Sequence, residues 1–170
     1  MSSNENMTPP AQPRHEHYVG RHITALGRMA RVYVDSALAP FGIGFSQAQI
    51  LVALYDGDGI SQHEIGCRLH IDKSAMARTI RRLVDEGYVE RLADPADERA
   101  YRVVLTDRAR REEAAIKAIL RGWTAGATKG LTDEEFTQLH GILLRMVGNA
   151  EQLLHDARET QPPTNEEATA

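Results

Sequence analysis

The chain has 170 residues, of which 26% are charged and 42% hydrophobic, with a net charge of −4. Those fractions are those of an ordinary globular protein of one domain with appendages, and no apolar run approaches the ~18 residues that a membrane span needs. Cys67 is the only cysteine, which excludes an intrachain disulfide and points to a reducing cytoplasm.

The N-terminal MSSNENMTPPAQPR lacks the apolar core of a secretory signal. Residues 1–14 and 159–170 are polar and contain proline, and read as disordered tails. A first helix is expected from about Glu16 to Ala39, where Ile23, Leu26, Ala30, Tyr33, Val34, Ala37 and Leu38 recur at helical spacing. Pro40, Gly42 and Gly44 end it. Residues 15–45 thus form the first helix and its connection.

A second helix is expected to open at Ser46, boxed with Gln49 and stapled by Phe45 against Ile50. Asp56-Gly57-Asp58-Gly59 stops it. A third opens at Ser61, with Glu64 completing the box, and ends near His70. Only Ile71 and Asp72 separate it from a fourth helix, which has Asp72 as N-cap and Gly87 after its end. Val89–Leu92 and Tyr101–Leu105 read as two short strands around a charged finger. Thr106 caps a long fifth helix with Ile116, Ile119, Leu120 and Trp123 on one face, closed by Gly130. Thr132 with Glu135 opens a sixth, whose face is Phe136, Leu139, Leu143, Val147, Ala150 and Leu154.

The third and fourth helices, joined by so short a turn, make a helix-turn-helix. With Ile80 at the centre of the buried side, Met76, Ala77, Leu83 and Val84 fall inward at 100° per residue. Ser74, Ala75, Arg78, Arg81 and Arg82 point outward, with Thr79 at the boundary. Short side chains near the N-terminus and arginines beyond are what a helix entering a major groove needs. The starts of the second, third and fourth helices add Ser46, Ser61 and Ser74, with Gln62 and Lys73 beside them, as groups for phosphates. Charge follows the same map. Residues 68–111 hold 11 Lys and Arg against 8 Asp and Glu, a local +3 in an acidic chain. In the finger, Asp97 stands two residues before Arg99, close enough to orient a guanidinium aimed at a narrow, electronegative minor groove.

These residues resemble the MarR family of winged-helix transcriptional regulators. The resemblance runs through Ser61–Leu69, Ile71-Asp72-Lys73-Ser74, Arg78, Leu83, Gly87-Tyr88-Val89, Arg91, Asp94-Pro95-Asp97-Arg99 and Leu105-Thr106. It implies a mainly α fold with a small β-hairpin: a winged helix-turn-helix core, 46–106, flanked by N- and C-terminal dimerisation helices, the latter 107–158. It further implies a homodimer on double-stranded DNA, with the fourth helix in the major groove and Arg99 in the minor groove. No cofactor is implied, but a small-molecule effector is, such as a phenolic acid, in a pocket between the dimerisation helices and the winged core. Glu98 stands where many members carry a second Arg, and Ala75 where a hydroxyl residue is frequent. A dimer is also expected from the residues, because a small winged core is too small to cover the apolar stripes of the first and sixth helices.

His63, Cys67 and His70 stand at i, i+4 and i+7, ligand types at helical spacing. The helix ends there and a fourth ligand must come from elsewhere, so the trio reads as a partly exposed thiol between two histidines and no metal is expected. No glycine-rich phosphate loop, nucleophile elbow or zinc-hydrolase motif is present, so an enzyme is not expected. The competing function is a winged-helix protein-interaction module without DNA binding, favoured by the acidic net charge and Glu98.

Overall fold

The computed structural model describes residues 16–94 and 97–160, and the side chains of these apart from 16–17, 97–100 and 158–160. The segments read as tails fall outside the described residues, except that the last helix runs on to Thr160. The elements are α1 (Glu16–Leu38), a 3-10 turn at Ala39–Phe41, α2 (Phe45–Tyr55), β1 (Ile60–Ser61), α3 (Gln62–Leu69), α4 (Lys73–Asp85), β2 (Val89–Asp94), β3 (Asp97–Leu105), α5 (Asp107–Ala127) and α6 (Asp133–Thr160). The chain divides after Thr124 into two compact units, the second formed by the end of α5 and α6.

In the first unit one core draws on every element. Val34 and Leu38 of α1, Ile50, Leu51 and Leu54 of α2, Ile65 of α3, and Met76, Ile80 and Leu83 of α4 are buried with Tyr88, Val89, Val103, Leu105 and Ile116. Ile119, Leu120 and Trp123 of α5 pack against it, as their spacing predicts. The apolar stripe expected on α1 splits in two. Ala30, Val34 and Leu38 face the core, whereas Ile23, Leu26 and Tyr33 are exposed along with Tyr18, Val19, Met29 and Val32.

Local capping explains most helix starts. Ser61 Oγ accepts from Glu64 N (3.1 Å), Thr106 Oγ1 from Ala109 N (3.2 Å), and Thr132 and Glu135 close a reciprocal box. Two expected caps differ. The Glu64 carboxylate turns to Arg68 (2.7 Å) instead of the Ser61 backbone. α2 begins one residue before Ser46, with Gln47 Oε1 accepting from Gly44 N (3.0 Å) and Asp35 Oδ1 from Phe45 N (2.6 Å). A Cβ at Gly44 would lie 2.7 Å from that Asp35 oxygen, so a side chain there would have to displace the carboxylate from Phe45 N. An aspartate ten residues upstream, brought back by the 3-10 turn, outcompetes the local serine.

The sheet also departs from the two strands expected. It has three, in the order β1-β3-β2, all antiparallel. Ile60 and Ser61 pair with Val103 and Arg102, a two-residue strand too short to show periodicity. β2 and β3 pair from Val89↔Leu105 to Ala93↔Tyr101, then shift register so that Asp94 pairs with Asp97. Much of the finger is therefore paired strand, with Glu98, Arg99 and Ala100 at a register break.

Candidate nucleic-acid interface

The turn between α3 and α4 is tight because His70 closes α3 in the left-handed region, at φ 52°. A non-glycine residue there costs about 1 kcal/mol, offset by Ile71 N bonding back to Gly66 O (3.1 Å). Asp72 then caps α4. Its Oδ1 accepts from Ser74 N (3.0 Å), Ala75 N (2.9 Å) and Ser74 Oγ (2.7 Å). The Ala75 N–H and the Ser74 hydroxyl hold this carboxyl below its ordinary pKa, so the cap stays anionic. At the far end Gly87, at φ 72°, stops α4, with Gly87 N to Val84 O (2.9 Å) and Tyr88 N to Leu83 O (2.8 Å).

Between these stops the two faces of α4 separate. Met76, Ile80 and Leu83 are buried, while Lys73, Ser74, Arg78, Arg81 and Arg82 are exposed. Val84, expected inward, is instead 38% exposed, near the helix end where the core no longer covers it. Ala75 and Thr79 are half-buried, and the Thr79 hydroxyl donates to Ala75 O (2.9 Å). Arg78 Nη1 reaches Ser74 Oγ at 3.5 Å, a long contact that leaves the guanidinium on the outer face. Ser46 lies in the first turn of α2, and Ser61 and Gln62 at the start of α3, all half-buried. The backbones of Asp97 and Arg99 run in β3, but their side chains lie outside the described residues.

The His63–Cys67–His70 trio does not assemble. Cys67 Sγ lies 3.6 Å from His63 Nε2 on the exposed side of α3. Among the described residues no group of three or more His, Cys, Asp or Glu side chains is placed to hold a metal ion. Nor is any single described helix long and apolar enough to cross a membrane.

The structure gives Arg91, quoted above only for the resemblance, a place: it lines a cleft with Arg81, Val84, Asp85 and Glu90, between α4 and β2. It also adds groups that the sequence reading missed. Arg102, in the middle of β3, bonds Asp94 of β2 (Nε to Oδ2, 3.1 Å) and donates to Gly59 O (Nη1, 3.2 Å). Asp58 bonds Leu105 N (2.9 Å) and Arg110 Nη2 (2.5 Å), joining the loop before β1 to the first turn of α5. The only early signal of such groups is strand alternation, which puts Arg102 opposite the buried Val103 and Leu105.

Residues 41–100 match the sequence model of the MarR family. The chain is similar to a solved MarR transcriptional regulator from Methanosarcina mazei Go1, at 35% identity and a TM-score of 0.77, over 81% of this chain and 99% of that one. It is similar, at 26% identity and a TM-score of 0.70, to a mutant MarR from Escherichia coli solved in complex with operator DNA, over 80% and 99%. It is also 28% identical over 128 residues to the HTH-type transcriptional repressor Mb2911 of Mycobacterium bovis, over 75% of this chain and 92% of the relative.

Proposed function

Because the chain belongs to the MarR family of winged helix-turn-helix transcriptional regulators, we propose that it is a dimeric, sequence-specific DNA-binding repressor released by a small-molecule effector. The observation that carries this reading is the outer face of α4. Lys73, Arg78, Arg81 and Arg82 are exposed there, and no acid interrupts them before Asp85. Asp72 is held anionic at the helix start by its own N–H and hydroxyl donors, so it satisfies the α4 N-terminus itself. The arginines beyond this capped start lie on the outer face, where side chains can reach base edges.

In this reading α4 enters the major groove, and Arg78, Arg81 and Arg82 take guanine edges or phosphates. Ser46, Ser61, Gln62, Lys73, Ser74, Ala75 and Thr79 line the approach. Arg99, oriented by Asp97, enters the adjacent minor groove. The MarR structure that holds operator DNA supports DNA as the partner, and the relative named a repressor supports the sign.

Exposed apolar side chains support a homodimer. On α1, Ile23, Leu26, Met29 and Val32 are 45–71% exposed, and α6, taken by itself, exposes Phe136, Ile142, Leu144 and Leu153. Surfaces of that kind belong against a partner. Two-fold symmetry then asks for half-sites about one helical turn apart. An effector that binds the DNA-incompetent dimer better shifts the population, and tenfold release needs about 1.4 kcal/mol of coupling.

The test is selection of bound duplexes from random DNA by the full chain, followed by release with small phenolic acids. Recovery of a pseudo-palindrome is the expected result. Enrichment of no sequence over competitor DNA would overturn base readout by α4 and favour a protein-interaction module.

A further inference from the structure

Arg102 occupies a position that its neighbours make unusual. β3 is the central strand, and Arg102 pairs with Ser61 of β1 on one side and Leu92 of β2 on the other. Its flanking residue Val103 is buried, so alternation turns Arg102 to the face away from the core. From there the guanidinium spans the sheet. Nε bonds the Asp94 carboxylate at 3.1 Å, and Nη1 donates to Gly59 O at 3.2 Å, just ahead of β1. One planar group thus ties both outer strands to the central one, a geometry that suits arginine.

What it ties is the wing stem. Asp94 is the last β2 residue before the tip, and the register break begins between Ala93 and Asp94. Its carboxylate is only 12% exposed, against 46% for Arg102. On the other side β1 contributes only two paired residues. A two-stranded ribbon is marginally stable and strongly twisted by itself. A cross-sheet clamp at its base fixes the direction in which it leaves the core.

We propose that Arg102 and Asp94 are positioning residues that aim the wing, so that its tip reaches the minor groove while α4 sits in the major groove. This deepens the wing contact of the proposed function and rests on it. The rival role, a direct phosphate contact by Arg102, makes the opposite forecast for Asp94. Removing that carboxylate would free the cation and strengthen binding to any duplex. As a clamp, the pair loses aim when either partner is changed.

The experiment uses the full chain and the duplex that it selects from random DNA. Arg102→Gln and the near-isosteric Asp94→Asn should each weaken binding about tenfold. Repeated selection should lose base preference in the flanks and keep it at the α4 positions. Adding Arg99→Ala to Arg102→Gln should cost little more than Arg99→Ala alone, since a misaimed tip has little left to lose. The exchange Asp94→Arg with Arg102→Asp should recover part of the loss. Unchanged affinity, tighter binding by Asp94→Asn, or additive losses with Arg99→Ala would overturn the clamp. Failure of the unaltered chain to select any duplex would instead overturn DNA binding, and an inert Arg99→Ala would overturn the wing contact itself.

Discussion

The Arg108 guanidinium of α5 lies over the ring of Tyr88, 4.3 Å from its centroid, and its Nη2 donates to the Phe41 carbonyl at 3.1 Å. Tyr88 is fully buried, its hydroxyl set between that carbonyl (2.9 Å) and the Glu112 carboxylate. Arg108 Nη1 also donates to Glu86 O at 2.5 Å. The base of α5, the end of α4 and the α1–α2 connection therefore meet at one polar node. Tyr88→Phe removes the one O–H that the Phe41 carbonyl and the Glu112 carboxylate compete for, and the oxygen that Arg108 Nη2 reaches, while Arg108 still donates to both acceptors. It should lower stability by about 1–3 kcal/mol, measured by urea unfolding at neutral pH.

The same node sets an alkaline limit. Burial first, then the Glu112 carboxylate, pushes the Tyr88 hydroxyl pKa up, and burial does the same for Tyr55. A pKa raised on folding means that the unfolded chain releases its proton first. The contribution is complete below the unfolded value of about 10 and is lost as pH rises above it. Unfolding midpoints should fall between pH 10 and 11. Tyr88→Phe should flatten that fall, and an unchanged slope would show that the node does not hold the proton.

Asp58 joins segments far apart in the chain. One oxygen accepts from Gly59 N and Leu105 N, both at 2.9 Å, and the other from Arg110. Asp58→Ala leaves the half-buried Leu105 N–H unsatisfied and should cost about 1–3 kcal/mol. Arg110→Ala removes only a half-exposed partner and should cost no more than about 1 kcal/mol. Chemical denaturation of both variants checks the ranking, and equal losses would place the energy in the ion pair instead.

On the outer face of α4, Arg78→Ala should weaken operator binding by about 1–3 kcal/mol and relax one base position. Arg145→Ala, exposed on α6 outside the basic centre, should leave affinity unchanged. Fluorescence anisotropy at several salt concentrations separates a lost base contact from a lost phosphate contact, because only the latter lowers the salt slope by about one.

A charge placed on the exposed side of α1 tests the dimer. Leu26 is 52% exposed, so Leu26→Glu disturbs little of the core in a single chain. It should drive sedimentation toward a monomer and abolish cooperative occupancy of two half-sites. A variant that sediments as the unaltered chain does would remove α1 from the interface.

How far the sequence reached follows from the range of each interaction. The caps of α4 and α5 and the box of α6 act within three residues, so Asp72, Thr106 and the Thr132–Glu135 pair were readable directly. The outer face of α4 was readable too, because a 3.6-residue period fixes which side chains share a side once the buried stripe is known. Arg102 with Gly59, Asp58 with Leu105 and Tyr88 with Phe41 are 43 or more residues apart. No local propensity marks such partners, since they become neighbours only when sheet register and helix packing are set. β1 exists only because β3 offers it an edge, and α2 is capped from α1 only because the 3-10 turn brings Asp35 back. The outer face of α4 is thus written in local periodicity, whereas the contacts that join α4, the sheet and α5 are decided by tertiary packing, because their partners lie 20 or more residues apart in the chain.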